Sequence, residues 1–188
     1  MTQALALTEA EVAGIARRLD RPVVLVGLMG VGKSTIGRRL AALLDTSFVD
    51  VDEEIERAAD RSVAEIFEAH GEAYFRDGER RVIARLMEDD YGVIATGGGA
   101  FVDDETRALI LDRGLAVWLD CDIDTLVERT GRRNTRPLLR NGNPREILTA
   151  LKEKREPAYA QAHLHVMTDD GPHTETVSRI LEAIDAWL

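Results

Sequence analysis

Eight residues near the start of the chain, Gly27-Leu28-Met29-Gly30-Val31-Gly32-Lys33-Ser34, constrain everything that follows them. They match the spacing G-x-x-x-x-G-K-S/T and sit between an apolar run, Val23 to Val26, and an amphipathic helical pattern. That is the setting a phosphate-binding loop requires. Glycines at these positions let backbone N–H groups turn inward onto phosphate oxygens at a helix N-terminus, where the peptide dipoles also favour an anion. Lys33 is then placed to reach the β- and γ-phosphates, and the Ser34 hydroxyl to ligate Mg²⁺. The chain is expected to bind a nucleoside triphosphate.

Such a loop needs a parallel sheet behind it. After Pro22 short apolar runs alternate with longer helical stretches, the signature of βαβ units. Strands are predicted at Val23 to Val26, Ser47 to Val49, Val93 to Ala95, Ala116 to Leu119 and Leu164 to Met167. Between them the spacing predicts helices at about Ser34 to Leu44, Glu53 to Ala59, Val63 to His70, Ala73 to Met87, Glu105 to Arg113, Thr125 to Arg129, Pro144 to Ala160 and Thr174 to Trp187. Ahead of this frame, Thr8 and Glu11 form a capping box with Leu7 and Val12 as its hydrophobic staple, so residues 1–20 are read as a helical extension that packs and carries no chemistry. No linker divides the 188 residues, and one α/β unit is expected.

Charge and composition narrow the partners. The chain is 45% hydrophobic and 31% charged, which is globular, and no run reaches the roughly 18 apolar residues of a membrane helix. With 24 Lys and Arg against 34 Asp and Glu the net charge is −10, which disfavours DNA or RNA as a partner. The single Cys121 cannot form an internal disulfide, and no secretion signal is read at the N-terminus, so a cytoplasmic protein is expected. From Arg129 to Arg155, however, nine basic residues face two acids. The stretch from about 131 to 143 reads as neither helix nor strand, and its charge suits a mobile lid over a small anion.

Two further motifs follow predicted strands. Phe48-Val49-Asp50-Val51-Asp52 places two carboxylates at i, i+2, on one face if the strand continues, so that they could divide metal work from proton work; Asp52 could equally cap the next helix. Thr96-Gly97-Gly98-Gly99-Ala100 spends three glycines in succession, which suggests a ligand lying directly against backbone. In an open parallel sheet all strand C-termini share one edge, so these motifs should meet in one cleft. The four histidines, His70, His163, His165 and His173, show no metal-site spacing and are assigned to surface or packing.

Taken together these residues resemble the shikimate kinase family. The resemblance rests on Gly30 through Arg38, on Asp50-Val51-Asp52 with Ile55-Glu56, on Phe75-Arg76, on Gly97-Gly98-Gly99, on Arg136-Pro137-Leu138-Leu139, and on Arg155 with Pro157 and Tyr159. It implies a three-layer P-loop kinase fold, with a five-stranded parallel sheet flanked by helices, and transfer of a phosphoryl group from ATP to the 3-hydroxyl of shikimate, a step toward aromatic amino acids. By the same resemblance Gly30, Val31, Gly32, Lys33, Ser34 and Thr35 hold ATP, and Ser34 and Asp50 serve Mg²⁺. Asp52 faces the hydroxyls and takes the proton. Arg76 and Arg155 pair with the carboxylate while Gly98 and Gly99 offer backbone. Arg136 descends with the lid onto the phosphates, and Arg129 borders adenine. A monomer is expected. The near alternative is a kinase of similar build for another polyol acid such as gluconate; the distant one is a non-catalytic nucleotide-binding module, which would need no carboxylate-reading arginines.

Overall fold

The computed structural model describes residues 7–89, 92–132, 139 and 142–188. Strands β1 (Val23–Val26), β2 (Phe48–Asp50), β3 (Val93–Ala95), β4 (Leu115–Cys121) and β5 (Leu164–Thr168) form one sheet in the order β2-β3-β1-β4-β5. Every pairing is parallel, with Val24 opposite Ile94 on one side and Ala116 on the other. All residues of β1, β3 and β4 are buried. These unbroken apolar runs are what a parallel sheet covered on both faces demands.

Helices α1 (Glu9–Arg18), α2 (Lys33–Leu43), α3 (Val51–Ala59), α4 (Val63–Glu88), α5 (Asp104–Arg113), α6 (Ile123–Gly131), α7 (Pro144–Tyr159) and α8 (His173–Trp187) supply the outer layers. Helices α1, α2 and α8 pack together, as do α3 with α4 and α4 with α5. Helix α1 carries the expected capping box: the Thr8 N–H donates to Glu11 Oε2 at 2.7 Å and the Glu11 N–H donates to Thr8 Oγ1 at 3.3 Å. It buries Val12 and Ile15 and pairs Arg18 with Asp185 of α8. No described helix is long and apolar enough to cross a membrane.

Several boundaries shift by one or two residues from the sequence expectation, and two of the differences have a visible reason. The strand does not continue through Asp52: β2 ends at Asp50, and α3 begins at Val51. The Asp50 carboxylate stops it by accepting from the Asp52 N–H at 3.0 Å and the Glu53 N–H at 3.3 Å, so the capping role assigned to Asp52 belongs to Asp50. The helices predicted at Val63 to His70 and Ala73 to Met87 run on as α4 and turn at Gly71, where φ is 81° and ψ is 174°. The lid expected around 131–143 lies largely outside the described residues, and Arg136 with it.

Candidate active site

A cleft of about 660 Å³ opens along the C-terminal edge of the sheet, a usual size for a small-molecule site. Central strand β1 delivers the phosphate-binding loop into it, β2 delivers Asp50, and β3 delivers Thr96, Gly97 and Gly98. The common edge predicted for these three motifs is therefore real. Sequence order does not place β1 beside β3; the crossover of the chain does.

At the phosphate end, Gly32 is the N-cap of α2 with φ at 97°, a conformation that side-chain-bearing residues resist. It turns the loop so that α2 starts at Lys33. The Lys33 ammonium is buried and donates to the carbonyls of Gly27 at 2.7 Å and Leu28 at 2.8 Å. Ser34 Oγ donates to Asp50 Oδ2. Ser34, Thr35, Gly30 and Gly32 all line the cleft, and Val31 is buried behind it. Arg129 crosses to this end: its guanidinium donates to the Val31 carbonyl at 3.2 Å and to the Asp169 carbonyl, tying the loop to the segment between β5 and α8.

The donors fit Mg²⁺. One carboxylate and one hydroxyl, in mutual contact at the start of α2, are hard oxygen ligands of the kind Mg²⁺ accepts when phosphates and water complete its shell.

The other end is built around a buried carboxylate that the sequence reading missed. Glu79 is 1% exposed, and its Oε2 accepts from Arg76 Nη1 at 2.5 Å. Its Oε1 has no hydrogen-bond partner among the described residues and points toward Gly97. A Cβ on Gly97 would lie 2.8 Å from Asp52 Oδ1 and 3.2 Å from Glu79 Oε1, so the missing side chain is what lets both carboxylates approach the turn. Similarly, Arg76 lies against Gly99, and Arg155 Nη1 stands 3.0 Å from where a Cβ on Gly98 would be. Tyr159 donates its hydroxyl hydrogen to the Gly98 carbonyl, anchoring the turn to α7. The three glycines are thus the floor on which Asp52, Arg76 and Arg155 converge. The i, i+3 spacing of Arg76 and Glu79 on one helix face was the available signal for Glu79.

Burial and then the neighbouring Asp50 charge raise the Asp52 carboxyl above its ordinary value, opposed by Lys33 and Arg76. Burial also pushes Glu79 up to about 7, against the pull of Arg76. This has a consequence for stability. The folded protein keeps the Glu79 proton up to about pH 7, whereas the unfolded chain releases it near the ordinary glutamate value of 4.5. Stability from this group is therefore complete below 4.5 and is lost as pH rises toward 7, by about 3 kcal/mol in all. Glu79→Gln cannot titrate, so its melting temperature is expected to fall less than that of the wild type between about pH 5 and 8. Parallel profiles from scanning calorimetry would contradict this.

One more residue of the cleft had no sequence signal. His173, assigned to surface or packing, lines the nucleotide end beside Asp170 and Gly171. It is the first residue of α8, and only the folded sheet brings the start of that helix to the phosphate-binding loop.

With this geometry in view, the comparisons with known proteins agree. Residues 29–185 match the family model described as shikimate kinase. A shikimate kinase of Novosphingobium aromaticivorans is 63% identical over 186 residues, spanning 97% of this chain and 96% of that one. A solved shikimate kinase from Acinetobacter baumannii, in complex with shikimate, aligns with a TM-score of 0.81 at 37% identity, over 88% of this chain and 93% of its own. A gluconokinase from Sinorhizobium meliloti aligns with a TM-score of 0.63 at 18% identity, over 91% of this chain and 95% of its own, and so shares the fold alone.

Proposed function

The chain belongs to the shikimate kinase family and phosphorylates shikimate with ATP, and we propose that Asp52 takes the proton from the 3-hydroxyl as its oxygen attacks the γ-phosphorus. The observation that carries this reading is the position of Asp52. It lies on the cleft wall between the charge of Lys33 and that of Arg76, with a carboxyl held above the usual aspartate range and hence a better base than a free one.

In the reaction the new O–P bond forms as the bond to the β-phosphate oxygen breaks; the electron pair leaves with ADP, and the hydroxyl proton ends on Asp52. Arg76 and Arg155 present guanidinium forks to the substrate carboxylate beside Gly98 and Gly99, which fixes the ring and with it the reacting hydroxyl. Lys33, its ammonium already oriented by two carbonyls, offsets charge on the transferring group. Ser34 and Asp50 would hold Mg²⁺, which when bound neutralises the β- and γ-phosphates. Arg129 borders the base, and by the family resemblance Arg136, which lies outside the described residues, would serve the phosphates as well. Every role is filled within one chain, so a monomer suffices. A cytoplasmic enzyme is expected, because that is where its ATP is.

The decisive measurement is ADP release in a coupled assay with shikimate, with gluconate and with neither. Release is expected with shikimate at least 10³-fold above the other two, because the arginine pair and the acid read a ring carboxylate and hydroxyl together. Equal rates in all three conditions would leave a nucleotide-binding module; preference for gluconate would leave the polyol-acid kinase.

A further inference from the structure

We propose that the ion pair between Lys152 of α7 and Asp120 of β4 holds Arg155 in place for the substrate, which makes Lys152 a positioning residue that acts through Arg155 rather than by contact with the reactants. The proposal deepens, and rests on, the reading of Arg155 as a partner of the substrate carboxylate. Lys152 Nζ donates to Asp120 Oδ1 at 2.9 Å and to the Cys121 carbonyl at 2.9 Å, which ties α7 to the end of β4. Asp120 is 9% exposed, and the rest of its carboxylate is engaged as well. Its Oδ1 also accepts from the Cys121 N–H at 2.8 Å, and its Oδ2 lies 3.1 Å from Nε2 of His165, whose ring stacks on Trp118. Removing one partner of such a pair strands a buried charge, so the attachment resists displacement.

Arg155 needs such an attachment because its own stretch of helix is poorly held. It follows Lys152 by three residues, close to one turn, and its Nη1 stands 3.0 Å from where a Cβ on Gly98 would be. Apolar packing does not fix this turn: Leu148 and Tyr159 are buried, but no residue of α7 between them is. Beyond Arg155, the Tyr159 hydroxyl anchors the end of the helix to the Gly98 carbonyl, yet Pro157 intervenes. A proline has no N–H to give the carbonyl four residues back, here that of Glu153, and its ring crowds that carbonyl, so the turn carrying Arg155 is weakened from within. The hold at Tyr159 is therefore transmitted to Arg155 only loosely, and the firm polar attachment of its turn to the sheet is Lys152. Without the ammonium the turn is free to roll on the sheet, and a shift of about 1 Å at the guanidinium is enough to spoil its fit to a carboxylate.

The test is a double-mutant cycle read in steady-state kinetics, with wild type, Lys152→Met, Arg155→Ala and the double variant each assayed against shikimate and against ATP. Lys152→Met keeps the apolar stem and removes the ammonium. It is expected to raise the KM for shikimate about tenfold with the KM for ATP unchanged, and to add less than about twofold in the Arg155→Ala background, where no guanidinium is left to misplace. Asp120→Asn makes the same test from the other partner, with an amide oxygen still able to accept from the Cys121 N–H, and the same split between the two KM values is expected of it. A role in stability alone would lower the melting temperature of these variants and leave both KM values where they are. That result, or a Lys152→Met effect of equal size with and without Arg155, overturns the proposal while leaving the substrate site standing. A wild-type KM for shikimate in Arg155→Ala overturns the reading of Arg155 and the proposal with it.

Discussion

Replacing Asp52 by Asn is expected to lower kcat by about 10²- to 10⁴-fold while leaving the dissociation constant for ATP nearly unchanged. Asn has the same shape, so the packing beside Gly97 survives, but it cannot accept a proton from an attacking hydroxyl. Among the described residues Asp52 caps no helix; Asp50 caps α3 and accepts from the Ser34 hydroxyl beside the phosphate-binding loop. The effect should therefore fall on turnover rather than nucleotide affinity. The pH profile should follow in sign: the base must be ionised, so wild-type kcat/KM declines as pH falls through a value above the ordinary aspartate range, and the variant lacks that limb. Steady-state kinetics with a separate nucleotide titration distinguishes the outcomes. Wild-type turnover in Asp52→Asn would remove Asp52 from the chemistry.

The second large effect is expected at Arg76. Arg76→Lys should raise the KM for shikimate by about thirty-fold or more, with little change in the KM for ATP. One arm of the guanidinium is already committed to Glu79 at 2.5 Å, while the other face lies against Gly99, and the group packs 5.2 Å from the Phe75 ring centroid. A planar fork can serve a buried carboxylate and a substrate carboxylate together. An ammonium is a point charge, and the strongest claim on it is the buried Glu79, which leaves the substrate with a poorer partner. An unchanged KM for shikimate would show that Arg155 alone reads the carboxylate.

Legibility in the sequence followed the range of the interactions involved. Motifs whose meaning is local were read from order alone: the glycine and lysine spacing of the phosphate-binding loop, the capping box at Thr8, and the buried runs of β1 and β3. Boundaries that turn on a competition were not. Whether Asp50 or Asp52 caps α3 depends on which carboxylate the chain already engages, and Ser34, sixteen residues earlier, engages Asp50. Glu79 was passed over because an acid in a charged helix normally faces water, and only the packing of α4 under the glycine turn buries this one.

The sequence by itself determined the fold class, the phosphate-binding loop and the motifs that meet along the cleft, because each of these is encoded by residue type at fixed short spacing. Tertiary structure alone decided what surrounds those groups: Glu79 behind Arg76, Tyr159 under Gly98, and His173 over Gly32. The physical reason is that burial and the charge of distant neighbours set how strongly a side chain holds its proton, and both are properties of the assembled sheet edge rather than of any stretch of chain.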